Sequence, residues 1–273
     1  MQTSTMRSLT AMLESLLLHL RHDSARLENA VSAFERASQV AQRLPLVHRT
    51  CKPGAETDWL NVLESRRFAA GEPCTGREKA AGIPRAAYFF LGCGAYPEGL
   101  VGFVVDTSAV LMRPASYVPF DSGSIENEKH VAPADPARAA AWDDVAKHRF
   151  LEEHLGAGDQ VLAFSGPYLA AHFHEPVSYV RLGQRSRTDF PVYHGLRSTN
   201  DDRRAWTIEV QVHEDVPLET EGAMLREIVA ARWSLVEELP DDMKRFARIA
   251  SMENEILESI AEGIATRIAT EVP

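Results

Sequence analysis

The sequence predicts an α+β protein, with a mixed β core between helical extensions at both termini. Two observations lead there. Apolar residues recur at helical spacing near both ends of the chain. Between Leu46 and about Val216, short apolar or alternating runs are separated by polar connections containing Gly and Pro. A chain of 273 residues can bury one sizeable core, or one core and a small helical appendage.

At the N-terminal end, Leu13, Leu16, Leu17 and Leu20 share one helical stripe. Leu27, Ala30, Val31, Phe34, Ala37, Ala41 and Leu44 share another, behind a cap at Asp23 or Ser24. Residues 5–43 thus read as a helical hairpin that Pro45 ends, giving a first segment of 1–44. A central segment, 45–219, starts with a strand at "LVHR" and a short helix at "ETDWLNVLESRRF". A loop, "GEPCTGREKAAGIPR", leads to strands "AAYFFLG" and "LVGFVVD", with further strand pieces at "AVLMRP" and "SYVPF". The stretch 121–135 reads as a polar loop, and "PARAAAWDDVAKHRFLEEHL" as one helix ending at Gly156 or Gly158. A short helix at "GPYLAAHF" and a turn at "EPVSYVRLG" precede a long loop (183–204) and a strand over 205–213. The third segment, 220–273, returns to helix in "GAMLREIVAARWSLVEEL" and "DDMKRFARIASMENEILESIAEGIATRI", on either side of Pro240, packed on the same unit.

Composition narrows the function. Apolar residues make up 45% and charged residues 25%, ordinary for a soluble globular protein. A net charge of −10 argues against coating nucleic acid through bulk electrostatics but leaves room for a local basic patch. No apolar run is long enough to span a bilayer, so no membrane partner is expected. Glu14 interrupts the N-terminal apolar stretch and no small-residue cleavage site follows, which speaks against a secretory signal. Cys51, Cys74 and Cys93 are odd in number and lack CxxC spacing, as expected of reduced thiols in the cytoplasm. Neither Gly-x-Gly-x-x-Gly nor Gly-x-x-x-x-Gly-Lys-Ser/Thr occurs, and "LGCGAYPEG" lacks the spacing of a phosphate-cradling loop.

In "RRAWTIEVQVHEDVPLE", Trp206, Ile208, Val210 and Val212 alternate with Thr207, Glu209, Gln211 and His213. That is the period of a half-buried strand, with Glu209 on the solvent face. Three features then stand in a fixed order. "VHRT", with His48, precedes the helix "WLNVLESRRF". The aromatic strand "PRAAYFFLG" follows a loop carrying "TGRE". The strand "WTIEVQV" carries Glu209 behind an arginine-rich loop. This order resembles the ADP-ribosyltransferases, most closely the DarT-like branch that modifies DNA bases. There a strand histidine is followed by a helix, an arginine precedes an aromatic strand, and a glutamate lies in a segment like "xAEVLVxxxVPxxxI". The match at "TIEVQVHEDVPLE" is the most specific, and the resemblance covers roughly residues 46–219. It departs after the aromatic strand, where the family has a turn rich in proline and serine and this chain reads "YFFLGCGAYPEG".

The resemblance implies an ADP-ribosyltransferase-like β core and NAD as the donor substrate, with no metal. It also implies a bacterial toxin or phage-defence setting with an antitoxin or other regulatory protein. Cleaving the nicotinamide–ribose bond builds positive charge on the ribose, as in glycoside chemistry. Glu209 would stabilise that charge or deprotonate the acceptor. His48, with Thr50 beside it, would hold NAD, and Tyr88 or Phe89 would stack on the nicotinamide. Arg77 would neutralise the pyrophosphate and, by resemblance, assist catalysis; Arg85 is the other candidate for that arginine.

The loop 181–205 carries six arginines against three aspartates, a local charge of +3 inside an acidic chain. Phe190, Tyr193 and His194 are interleaved. Arg185, Arg187 and Arg197 with Tyr193 would make a single-strand platform, charge for phosphates and rings for bases. The expected acceptor is therefore a nucleic-acid base, DNA or RNA, with a protein side chain as the alternative. Two rivals belong to other classes. "HFHE" (His172, His174, Glu175), with His194 and His213 downstream, would supply ligands for a metal-dependent hydrolase. The helical ends and 39 acidic residues would suit a non-enzymatic interaction protein.

Overall fold

The computed structural model describes residues 24–49, 58–73, 75–94, 100–126, 131–173, 175–181, 196–198, 203–219, 224–250 and 256–272. Apolar β-branched and aromatic runs build an eight-stranded mixed sheet among these residues, confirming the α+β class. In spatial order its strands are β12 (Ala247–Ile249), β11 (Leu225–Ala230), β4 (Val101–Val105), β1 (Leu46–Arg49), β3 (Ala87–Leu91), β9 (Glu209–Val212), β5 (Ala115–Val118) and β7 (Gly156–Ala157). Neighbours run antiparallel except β11 and β12. Two short ribbons join β2 (Arg67–Phe68) to β10 (Val216–Pro217) and β6 (Val131–Pro133) to β8 (Leu196–Ser198).

Helices cover the sheet. α1 (Ser24–Arg43) lies along α7 (Val161–His172), and a Cβ on Gly166 would come within 2.7 Å of Ser38 Oγ, so this close approach needs the glycine. α2 (Asp58–Ser65) follows β1, and α3 (Gly76–Ala80) precedes β3. α10 (Ile256–Glu271) buries Ile256, Ile260, Ile264 and Ile268 and packs on β4 and β11. Gly92, just past β3, has φ +68, and a Cβ there would come within 2.7 Å of Leu44 Cδ2. The glycine of "LGCG" is thus a backbone requirement of the turn.

Several local expectations are corrected. "AVLMRP" is not a strand: Asp106 caps the Ala109 N–H and opens helix α4 (Thr107–Leu111). The helix expected over 136–155 is two, α5 (Pro136–Ala140) and α6 (Asp144–His154), because Asp143 caps a new start by accepting from the Ala146 N–H. "MLREIVAARWSLVEEL" gives β11 and only a short helix, α8 (Trp233–Glu237), and the segment after Pro240 gives α9 (Asp241–Lys244), β12 and α10. Residues 5–23, half of the expected hairpin, lie outside the described residues.

The register fixes which side chains share a face. Val47, Phe90, Glu209 and Val118 are successive partners across β1, β3, β9 and β5. One residue along, Phe103 pairs with His48, and Val210 with both Phe89 and Tyr117. Paired residues of an antiparallel ladder project from the same side, and neighbours along a strand from opposite sides. Glu209 and His48 therefore point away from each other across the sheet.

Candidate active site

The Glu209 face is not open to water. Thr207, Glu209 and Gln211 are as buried as the apolar residues between them, and Glu209 is only 2% exposed. The alternation read from the sequence holds, but its polar side is covered by α3 and by residues 119–126, whose Ser122–Glu126 portion is a turn of 3₁₀ helix. The covering segments bring their own carboxyls: Glu78 and Asp121 are 0% and 1% exposed.

Each carboxyl is placed by a local rule. Thr75 and Glu78 form a capping box: the Thr75 hydroxyl accepts the Glu78 N–H at 3.2 Å, and Glu78 Oε2 accepts the Thr75 N–H at 2.8 Å. That leaves Glu78 Oε1 facing the sheet, in a very short hydrogen bond from Ser122 Oγ. Asp121 turns the chain by accepting the Ser124 N–H at 3.2 Å, while its own N–H donates to the Arg204 carbonyl at 2.8 Å. Ser122 is thereby set against β9, with its Oγ 2.6 Å from Glu209 Oε1. Gln211, two residues on from Glu209, donates from Nε2 to the same Oε1 at 2.7 Å.

The network continues along β9. Ser116 Oγ on β5 donates to Gln211 Oε1 at 2.9 Å and lies 2.9 Å from His213 Nε2. Burial holds His213 below the usual histidine range, so the ring is neutral near pH 7. Desolvation, then the charges of Asp121 and Glu78, raise the Glu209 carboxyl well above the usual carboxylate range; hydrogen bonds from Ser122 and Gln211 oppose them. Burying one ion costs several kcal/mol, on the order of what a whole domain has to spare. Three carboxyls around one serine therefore mark a functional site more readily than a stabilising one.

The residues singled out from the sequence divide by face. Tyr88 pairs with Gln211 and so lies on the Glu209 side, half-buried. Arg77 stands beside Glu78 on α3, its Nη2 2.8 Å from Asp144 Oδ1 on α6. Arg85 instead donates to the Ala70 carbonyl at 2.7 Å and lies 3.5 Å from Glu72. Of the two candidate arginines, Arg77 belongs to the helix that delivers Glu78.

His48 and Phe89 are on the other face. The His48 ring packs against Phe68, Phe89 and Phe103, with centroids 4.7, 5.4 and 6.4 Å away, and its Nδ1 lies 2.8 Å from the Tyr88 carbonyl. Phe89 is fully buried in that cluster. Of the residues read as NAD-holding, the register puts His48 and Phe89 on one face and Tyr88 on the face of Glu209.

Thr50, Arg185, Arg187 and Tyr193 lie outside the described residues. Arg197 is on β8, paired with Ala132. Elsewhere in that loop, Arg181 is 3.2 Å from Glu262, and the Arg204 main chain is built into the Asp121 turn. His172 ends helix α7 with its ring 4.9 Å from Tyr168, while His174 lies outside the described residues. No group of three or more His, Cys, Asp or Glu side chains among the described residues is arranged to hold a metal ion.

Glu78, Asp121, Ser122 and Gln211 are the site residues that reading the sequence missed. Two local signals point to the first three: Thr-x-x-Glu in "TGRE", which announces a capping box, and Asp-Ser-Gly-Ser in "PFDSGS", which announces a side-chain-stabilised turn. No protein-family model matches the chain, and no curated protein gives a significant match.

Proposed function

We propose that the chain is an NAD-dependent mono-ADP-ribosyltransferase whose acceptor is a nucleic-acid base, in a toxin or phage-defence setting controlled by a partner protein. One observation carries the reading. Glu209, the residue the resemblance marks as catalytic, is the strand glutamate around which the buried carboxyls gather. A carboxylate held by Ser122 and Gln211 is pre-oriented, and such a group stabilises an oxocarbenium-like ribose without reorganising during the reaction. In this reading Arg77 serves the pyrophosphate and Tyr88 supplies the ring against nicotinamide, whereas His48 and Phe89 support the sheet from behind.

The test is incubation of the protein with labelled NAD and separate pools of DNA, RNA and protein. Label appearing on a polynucleotide, and lost in Glu209→Gln, supports the proposal. Label on protein alone moves the acceptor to a side chain, and no consumption of NAD in any pool refutes the enzyme class. The acceptor surface has its own check. Neutralising Arg185, Arg187 and Arg197 together should impair transfer to a polynucleotide, spare slow NAD hydrolysis and reduce the salt dependence of binding. Replacing Tyr193 by Ala should weaken single-strand binding with little change in the salt slope.

A further inference from the structure

Ser122 Oγ has more hydrogen-bonding neighbours than its single proton can serve. It lies 2.6 Å from Glu209 Oε1, closer still to Glu78 Oε1, and 3.2 Å from Gln211 Nε2. A serine hydroxyl offers one proton and two lone pairs. The Gln211 amide is fixed from its far end, because Ser116 donates to its Oε1; its NH₂ therefore faces Ser122 and takes one lone pair. The hydroxyl proton then serves one carboxyl. The other carboxyl oxygen meets the remaining lone pair, at a separation that is attractive only with a proton between them. The contacts at Ser122 close when one of the two carboxyls is a carboxylic acid.

We propose that Glu78 and Glu209 hold one proton between them across Ser122, which makes Glu78 the positioning residue that sets the charge of Glu209. At rest the acid is Glu209, because burial and the neighbouring charges of Asp121 and Glu78 favour its protonated form. Charging Glu209 takes two coupled transfers. The Glu209 O–H bond breaks as its proton passes to Ser122 Oγ, and the Ser122 O–H bond breaks as that proton passes to Glu78. Glu209 becomes the carboxylate, Glu78 the acid, Ser122 is regenerated, and the pair keeps a charge of −1. The use of this step in ribosyl transfer rests on the proposed function; the sharing itself does not.

The groups facing the pair are Asp121 from the covering turn and Gln211 from β9, with neutral His213, just past β9, reached through Ser116. Tyr88 faces it from β3. Arg77 and its partner Asp144, with buried Lys147, lie at the contact of α3 with α6.

Carbon-13 NMR of the full-length chain, labelled at the glutamate carboxyl carbons, tests the proposal by titration. Glu78→Gln keeps the capping bond and removes the neighbouring charge, so the Glu209 midpoint should move toward acid. Ser122→Ala removes a hydrogen bond to the charged form, so the midpoint should move the opposite way. In the parent, the Glu209 signal should respond at both steps of the pair. A Glu209 midpoint unmoved in Ser122→Ala overturns the sharing, even if Glu78→Gln shifts it, since charge repulsion alone would then suffice. Should Glu78→Gln fail to fold, Ser122→Ala and the parent's two-step response decide the matter. Neither measurement needs turnover. In an active enzyme, Glu78→Gln should also displace the acid limb of the pH–rate profile. A shared proton in a protein that consumes no NAD would leave the sharing standing and refute only the ribosyl-transfer reading.

Discussion

At neighbouring rungs of one sheet, two faces only a strand's thickness apart are built on opposite principles. Behind β3, His48 is wedged among Phe68, Phe89 and Phe103, with the phenylalanines packed edge to face at 5.2 and 5.5 Å. In front of β9, Glu209 is wedged among Glu78, Asp121, Ser122 and Gln211. Both faces are dry. The aromatic face gains from burial, since every ring removed from water stabilises the fold. The carboxyl face loses by it and recovers only part through hydrogen bonds. The histidine, although the more familiar catalytic residue, thus sits on the face that burial stabilises. In the proposed function it is the strand glutamate that holds the chemistry.

Substitutions on each face test this contrast. The largest stability effect belongs to the aromatic side: Phe103→Ala should cost about 3–5 kcal/mol, measured by chemical denaturation. A loss under 1 kcal/mol would mean that this face is not the core support it is taken to be. On the other side, Glu209→Gln should lower transfer about 10²- to 10⁴-fold while leaving stability at neutral pH within about 1 kcal/mol. Comparable losses of fold and activity would reduce Glu209 to a structural residue.

A pH effect separates the faces more finely. The folded protein holds the Glu209 proton more tightly than the unfolded chain does, because burial and two neighbouring carboxyls raise that group. The stability it contributes is complete below the unfolded carboxyl range, near pH 4.3, and is lost as pH rises through the folded value. Urea midpoints measured from pH 4 upward should therefore fall less steeply in Glu209→Gln than in the parent. Identical slopes would contradict a raised Glu209. The smallest effect is expected of His48→Leu, an apolar replacement in an aromatic pocket, at about 1 kcal/mol or less with NAD affinity unchanged. A weakened NAD complex in a folded His48→Leu protein would show that the donor site reaches the far side of the sheet.

The strand around Glu209 and its alternation were legible from Trp206 to His213, because period two survives whatever covers the strand. The exposure was not legible. Thr207, Glu209 and Gln211 look like a solvent face until α3 and the 119–126 turn, more than eighty residues upstream, are laid over them. The opposite projection of His48 and Glu209 was equally hidden, since it depends on how β1 and β9 each register with β3. Residues 224–230 misled for another reason. Met224, Leu225, Ile228 and Val229 satisfy a helical stripe, yet Ile228, Val229 and Ala230 are buried in succession on β11, and short apolar runs do not distinguish the two.

The place of β11 has a consequence for the order in which the molecule is made. β4 lies between β1 and β11, and its rungs from Val101 to Val105 face residues 225–230. During synthesis the chain therefore emerges with one edge of β4 carrying unmatched backbone donors and acceptors. That edge stays unmatched while more than a hundred further residues are added, among them Glu78's partners Ser122 and Glu209. All the site residues exist before the sheet that must hold them level is complete. Among the described residues, the C-terminal fifth of the chain adds β11 and α10 to that edge and none of the carboxyl cluster, so the sheet is closed only after every site residue has been made.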